Sequence, residues 1–250
     1  MGEPNVKFGV PILDKLLPRG IPRRSLVIMV GDSGTGKSLI TQLMAGSFLQ
    51  RGEKVIYVCL DDDPESIVSS MESRGIEARR YAREGKLILV DAYASRYGLE
   101  TEEYVAEKIS SLDIHGVSSI LARLADNNGI RDSGLVILDS LNSFAFRYEP
   151  SMLYDFLNML RVSLAKKRGI TTVATFHTPT QLYAEIAATL EHMADVYIII
   201  RYHEEALEAG VAVRELLIKK AKGVPVMFGW VKFVITDEGI LEAKVRKIEG

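Results

Sequence analysis

The chain has 250 residues, 47% of them hydrophobic and 26% charged, a balance that excludes a disordered, fibrous or small disulfide-stapled protein. Lys and Arg total 31 against 33 Asp and Glu, so the formal charge of -2 provides no global positive field to collect nucleic acid or anionic lipid, and only a local patch could do so. One cysteine, Cys59, excludes an internal disulfide and an all-cysteine metal site and fits a reducing compartment.

The opening residues MGEPNVKFGV lack a basic stretch ahead of an apolar core. Charge also interrupts the longest apolar runs well short of the roughly 20 residues a bilayer span needs, so a cytoplasmic protein without membrane contact is expected. Apolar, β-branched segments then alternate with helical patterns, which predicts βαβ units on a mainly parallel sheet. The predicted strands cover 25–30, 54–60, 86–91, 135–139, 171–176 and 194–201.

Directly after the first of these, residues 31–38 read GDSGTGKS, the G-x-x-x-x-G-K-[ST] pattern, and an apolar helical segment with Leu39, Ile40, Leu43, Met44 and Phe48 follows. Gly31, Gly34 and Gly36 let backbone N–H groups turn inward around phosphate oxygens, and the helix start adds its positive dipole end. Lys37 supplies a point charge to the β and γ phosphates, and Ser38 is placed to ligate Mg2+. The loop from Gly31 through Asp32, Ser33, Gly34, Thr35 and Gly36 to Lys37, Ser38 and Leu39 is therefore the expected nucleotide contact.

The second strand ends in Asp61, Asp62 and Asp63. Asp63, followed by Pro64 and Glu65, reads as a helix N-cap with proline at the first helical position. Asp61 and Asp62 are left over, and a carboxylate beside a γ-phosphate can polarise an attacking water. Residues 92–133 are polar and read as a solvated helical insertion, with Glu100, Glu102, Glu103 and Glu107 near its start. The strand LVILD then delivers Asp139 to the same crevice as the phosphate loop, where it can hold Mg2+ through water.

Over 151–168, Leu153, Phe156, Leu157, Leu160 and Leu164 recur at helical spacing, with Lys166, Lys167 and Arg168 in the last turn and Gly169 as the cap. His177 ends the next strand and is either a sensor of the γ-phosphate or a satisfied structural histidine. After Tyr202 the pattern becomes strands without intervening helices, over 211–219, 229–236 and from Gly239, an antiparallel extension of the sheet. No repeat or linker interrupts the chain, so one domain over 1–250 is expected.

These residues resemble the RecA-type ATPases, and more closely the KaiC-like family, widespread in archaea and including paralogues of the RadA recombinase. The resemblance runs through VPILDKLLPRGIPRRSLVIMVGDSGTGKS, VIYVCLDDDPESI, GKLILVDA, LVILDSLNS and KAKG followed by FVITDEGI, and only residues 92–133 match poorly. It implies a RecA-type P-loop NTPase fold, α/β with a C-terminal antiparallel extension. It further implies ATP and Mg2+ as cofactors and a homo-oligomeric ring, a hexamer, or a filament with nucleotide between subunits. Lys220, Ala221 and Lys222 would reach a neighbour's γ-phosphate, Thr236 and Asp237 would lie near the base, and Ser73 would touch the neighbour's nucleotide.

This chain departs from the family's pattern at two places: Asp61 and Asp62 stand where a glutamate pair is usual, and Lys222 replaces an arginine. Aspartate is one methylene shorter, and a displacement of about 1 Å can cost roughly 100-fold in rate. Lysine lacks arginine's planar fork. The expectation is therefore a slow ATPase whose nucleotide drives assembly or a conformational switch, with Asp61, Asp62 and Lys37 in the catalytic roles. Its rivals are a non-hydrolysing ATP-binding scaffold and a recombination accessory protein that binds single-stranded DNA. DNA is not favoured, because the segment after His177, TPTQLYAEIAATLEHMAD, contains no Lys or Arg, and the better patch is Arg147, Arg161 and the basic residues 166–168.

Overall fold

The protein is described by a computed structural model covering residues 4–237 and 239–243. The ends of the expected 1–250 domain, and residue 238, lie outside the described residues.

In chain order the elements are β1 (Asn5–Val6), α1 (Pro11–Leu16), β2 (Ile21–Pro22), β3 (Leu26–Gly31), α2 (Lys37–Gln50), β4 (Val55–Cys59), α3 (Pro64–Glu72), α4 (Ala78–Arg83) and β5 (Leu87–Asp91). A 3-10 turn at Ala94–Tyr97 precedes β6 (Val105–Lys108), α5 (Ile114–Asn127), β7 (Leu135–Asp139), α6 (Asn142–Ala145) and α7 (Pro150–Leu160). The helix α7 continues as a π-helical stretch, Arg161–Lys166, before β8 (Thr171–His177), α8 (Gln181–Met193) and β9 (Val196–Tyr202). The chain closes with α9 (Glu204–Glu208), β10 (Arg214–Ala221), β11 (Val231–Thr236) and β12 (Gly239–Glu242).

Ten strands form one sheet in the order β12-β11-β10-β9-β3-β8-β7-β4-β5-β6. From β9 to β6 all neighbours are parallel, whereas β10, β11 and β12 add on antiparallel. The strands β3, β4, β5 and β7 are buried along their whole length, as expected when helices cover both faces. Alternate residues serve opposite cores: Val27, Met29 and Tyr57 pack with Ile40, Met44 and Phe48 of α2, while Ile28, Val30 and Ile56 pack with Leu121, Leu157 and Leu190 of α5, α7 and α8. The mainly parallel, doubly covered sheet with its antiparallel extension is the expected fold class.

Two local expectations need correction. Residues 92–133 are not simply a solvated helical segment, because Val105–Lys108 pairs parallel with β5 as an edge strand. The helix α5 buries Ile114, Val117, Leu121 and Leu124 in the core. The strand carries only two apolar residues, Val105 and Ala106: its residues alternate between half-buried and exposed, and the half-buried Glu107 pairs with Arg123 at 2.6 Å. The second correction is α9, which interrupts the C-terminal strands. The His203 ring accepts the N–H of Ala206 at 3.3 Å, and Glu204 and Glu205 occupy the first turn, so this short helix is stabilised by its cap and by dipole-matched charge.

Candidate functional site

The strand β3 ends at Gly31, and the chain turns through Gly34 and Gly36 into α2. Gly34 has φ +76° and Gly36 φ +98°; a Cβ on Gly36 would come within 2.7 Å of Ile235 Cδ1, so the turn needs glycine for conformation and for space. Among the described residues, no protein acceptor takes the N–H groups of Gly34, Gly36, Lys37, Ser38 and Leu39. These donors at a helix start make a cradle for an oxyanion.

Lys37 is buried, and its ammonium donates to the carbonyls of Gly31 and Asp32, both at 2.7 Å. Burial draws its pKa down to about 8 against the pull of Asp139, Asp32 and Asp61. Three further side chains brace the loop. Thr178 donates to Asp32 Oδ1 at 2.9 Å, Tyr202 donates to the Gly34 carbonyl at 2.9 Å, and Arg214 reaches that carbonyl with Nε at 3.3 Å and Nη2 at 3.2 Å.

Asp139 is buried at the end of β7, where Thr175 donates to its Oδ1 at 2.6 Å and Tyr57 to its Oδ2 at 2.8 Å. Each carboxylate oxygen keeps lone-pair capacity for a further donor or for ligand water. Burial, and then the Asp139 charge, hold the Tyr57 phenol well above its ordinary pKa, so it stays a donor.

Asp61 stands beside it. Its Oδ2 accepts from Ser140 and lies 3.5 Å from His177 Nε2, and its Oδ1 accepts from Ser143 at 3.0 Å. Burial raises the Asp61 carboxyl, but the hydrogen bonds of His177, Ser140 and Ser143 outweigh it and hold the group below the usual carboxylate range. The histidine is fixed by Asn142, which accepts its N–H at 2.7 Å and donates to its carbonyl at 2.9 Å. Asp62 is exposed and raised by burial of part of its surface, and Asp63 caps α3 by accepting the Ser66 N–H at 2.9 Å.

Ser38, Leu39, Asp61, Asp62 and Asp139 therefore line one cleft of about 240 Å3. Its donors are hydroxyl and carboxylate oxygens, the set that a hard cation such as Mg2+ takes. No cluster of three or more His, Cys, Asp or Glu forms a metal cage among the described residues. A larger cleft of about 840 Å3 lies along β6, where Arg79 and Tyr104 both donate to Glu65, and it does not include the loop.

The remaining expected residues fall in different places. Thr236 ends β11, and its neighbour Ile235 approaches Gly36, so Thr236 and Asp237 lie at the phosphate-loop end of the sheet. Ser73 follows α3 and donates to the Ser70 carbonyl at 2.9 Å. Lys220, Ala221 and Lys222 lie at the opposite end, since Lys220 pairs with Tyr197 whereas Gly31 pairs with Ile200. There Lys220 donates to the Glu191 carbonyl at 2.6 Å at the C-terminus of α8, and the Lys222 ammonium lies 3.6 Å from Asp195. The sequence reading missed Tyr57, Thr175, Ser140, Asn142, Ser143, Tyr202 and Arg214. The polar run DSLNS after β7, and the single hydroxyl of Tyr57 inside otherwise apolar β4, were the available signals.

A glycine-rich loop opening α2, with carboxylates at the ends of neighbouring parallel strands, defines a P-loop nucleotide-binding protein of the RecA type. The chain belongs to the KaiC ATPase family, whose model, described as ATPase: KaiC, matches residues 6–244. It is 30% identical over 239 residues to the UPF0273 protein PF1931 of Pyrococcus furiosus, covering 94% of this chain and 92% of that one. A UPF0273 protein of Thermotoga maritima is 29% identical over 238 residues, covering 94% of each chain. The fold is also that of the KaiC-like protein PH0186 from Pyrococcus horikoshii, with a TM-score of 0.76 at 23% identity over 96% of this chain and 99% of the other. No helix among the described residues is long and apolar enough to cross a membrane.

Proposed function

We propose that the chain binds Mg-ATP on the phosphate loop, assembles with copies of itself through that nucleotide, and hydrolyses it slowly to drive or time a conformational change. The observation that supports this most is the buried Lys37 ammonium, held at the loop's own carbonyls beside the Asp139 and Asp61 carboxylates. Bound phosphate would take over that ammonium together with the free N–H groups of the turn. Ser38 would hold the metal and Asp139 would support it, and the ion would supply charge neutralisation at the phosphates. Asp61 would orient the attacking water with Asp62 assisting, and His177 would sense the γ-phosphate through its contact with Asp61. Thr236 and Asp237 would lie near the base. Lys222, with Lys220 beside it, would act on a neighbour's nucleotide, and Ser73 would add a contact across the same interface, in a single-domain subunit of a ring or filament.

A calorimetric titration tests the binding step: Lys37→Ala should lose ATP affinity sharply while remaining folded, and equal affinities would refute the assignment. Phosphate release under single-turnover conditions tests hydrolysis. A non-hydrolysing scaffold is the second reading, favoured by the donors already on Asp61, since Ser140 and His177 at Oδ2 and Ser143 at Oδ1 occupy part of the carboxylate that would have to orient water.

A further inference from the structure

At the end of the sheet remote from the phosphate loop, Asp195 precedes β9 with its side chain buried. It accepts the Leu26 N–H at 3.1 Å, Arg161 Nε at 3.2 Å and Nη2 at 2.7 Å, and Lys166 Nζ at 3.0 Å. Lys222 Nζ stands 3.6 Å away, and Lys166 also donates to the Arg24 carbonyl at 2.7 Å. One carboxylate thus gathers Arg161, Lys166 and Lys222, more positive charge than its own neutralisation requires. Its Oδ2 takes the Leu26 N–H, Arg161 Nε and Lys166, and its Oδ1 takes Arg161 Nη2. Lys222 lies beyond hydrogen-bond range and keeps its donors, and Arg161 Nη1 has no partner among the described residues.

These free donors cannot serve the chain's own nucleotide. Leu26 and Gly31 are the two ends of β3, and at about 3.3 Å per residue the strand separates Asp195 from the loop by roughly 16 Å. The bland alternative is an ion pair that only fastens the π-helical stretch to the sheet. That role needs a single cation and leaves the excess of charge unexplained.

We propose that Arg161 supplies, to the triphosphate held by a second copy of this chain, the guanidinium that Lys222 lacks, and that Asp195 is the positioning residue for both cations. Anchored through Nε and Nη2, Arg161 would present Nη1 to a phosphate oxygen as a planar, preorganised donor beside the Lys222 point charge. The inference rests on the proposed action of Lys222 on a neighbour's nucleotide.

The test uses Arg161→Lys, which keeps the ion pair with Asp195 but loses the fork, with Arg161→Gln as a second, uncharged variant. Both should bind ATP through their own loop as the parent does when diluted below assembly. Hydrolysis at assembling concentrations should fall about tenfold or more, and the protein concentration at which ATP drives assembly, read by sedimentation, should rise. In an equal mixture with Lys37→Ala, roughly a quarter of the interfaces would join an intact loop to an intact Arg161, so activity should exceed the sum of the two parents. A mixture of Lys222→Ala with Lys37→Ala runs alongside. Recovery in that mixture without recovery in the Arg161 mixture, or parent-like assembly and turnover of both Arg161 variants, would overturn the role of Arg161. Recovery in neither, with subunit exchange confirmed, would overturn the reading on which it rests.

Discussion

Lys37 combines two properties that pull against each other, burial and the duty to stay charged. With its pKa drawn down to about 8, the free protein loses the Lys37 proton at modestly alkaline pH. Bound phosphates favour the ammonium, so nucleotide binding above pH 8 must take up a proton, and affinity should fall as pH rises from 8 towards 10. Calorimetry in buffers of different ionisation enthalpy would show uptake approaching one proton at pH 9, and none at pH 6.5. Folding has the opposite sign: the unfolded chain binds this proton more tightly, so the Lys37 contribution to stability rises with pH between 8 and about 10.5. Asp61 gives a second test at the same scale. Asp61→Asn should abolish phosphate release with ATP binding retained, while Asp61→Glu, by extending the carboxylate one methylene towards the water, should raise the rate. An Asn variant as active as the parent would move the catalytic carboxylate to Asp62, since Glu65 faces the other cleft. Tyr57→Phe removes one of the two hydroxyls on buried Asp139 and should cost about 1–3 kcal/mol in stability, read by denaturant unfolding.

Among the elements, those whose local signals agreed with their packing were legible from sequence. The strands β3, β4, β5 and β7 are unbroken apolar runs because helices cover both faces, and the loop between β3 and α2 carries its own motif. The strand β6 was not legible, since Val105, Ala106, Glu107 and Lys108 at a sheet edge show neither an apolar run nor a helical period. The site's phosphate side was legible for the same reason that its support was not. Lys37 and Asp139 sit in spaced patterns, whereas Thr175, Tyr202 and Arg214 are brought to them by strands distant in sequence. Arg214 and Tyr202 join the antiparallel extension to the phosphate loop through one carbonyl, that of Gly34, with the guanidinium stacked 5.2 Å from the Tyr202 ring. Arg214→Ala should loosen the loop and weaken ATP binding about tenfold, near 1.4 kcal/mol, with the melting temperature little changed. Parent-like affinity would mean that the extension does not brace the loop.

At the scale of the whole molecule, the nucleotide loop and the cationic cluster around Asp195 occupy opposite ends of one rigid parallel sheet. An interface that joins unlike ends is heterologous, and repeating it closes a ring or extends a filament; a two-fold dimer would not join them. Phosphate shared between the two ends, as proposed, would make ATP part of the interface, so that ATP would bind assembled chains better than separate ones and favour assembly by mass action. Phosphate release per subunit should therefore rise with protein concentration and level off once sedimentation shows assembly complete. Lys37→Ala should assemble no better with ATP than without it, because its loop no longer holds the shared group. Raising the salt should weaken assembly, since exposed Lys222 and Lys166 are screened within a Debye length of about 8 Å at physiological ionic strength. Of the basic residues expected to attract nucleic acid, Arg161 and Lys166 fall in this cluster, whereas Arg168 is buried against Asp126; Asp195 offsets part of the cluster's charge, and backbone affinity scales with the ion pairs formed. Duplex DNA should accordingly bind weakly at physiological salt. A tight complex that dissociates steeply as salt is added, and that competes with ATP-driven assembly, would assign the cluster to nucleic acid instead of to a neighbouring subunit.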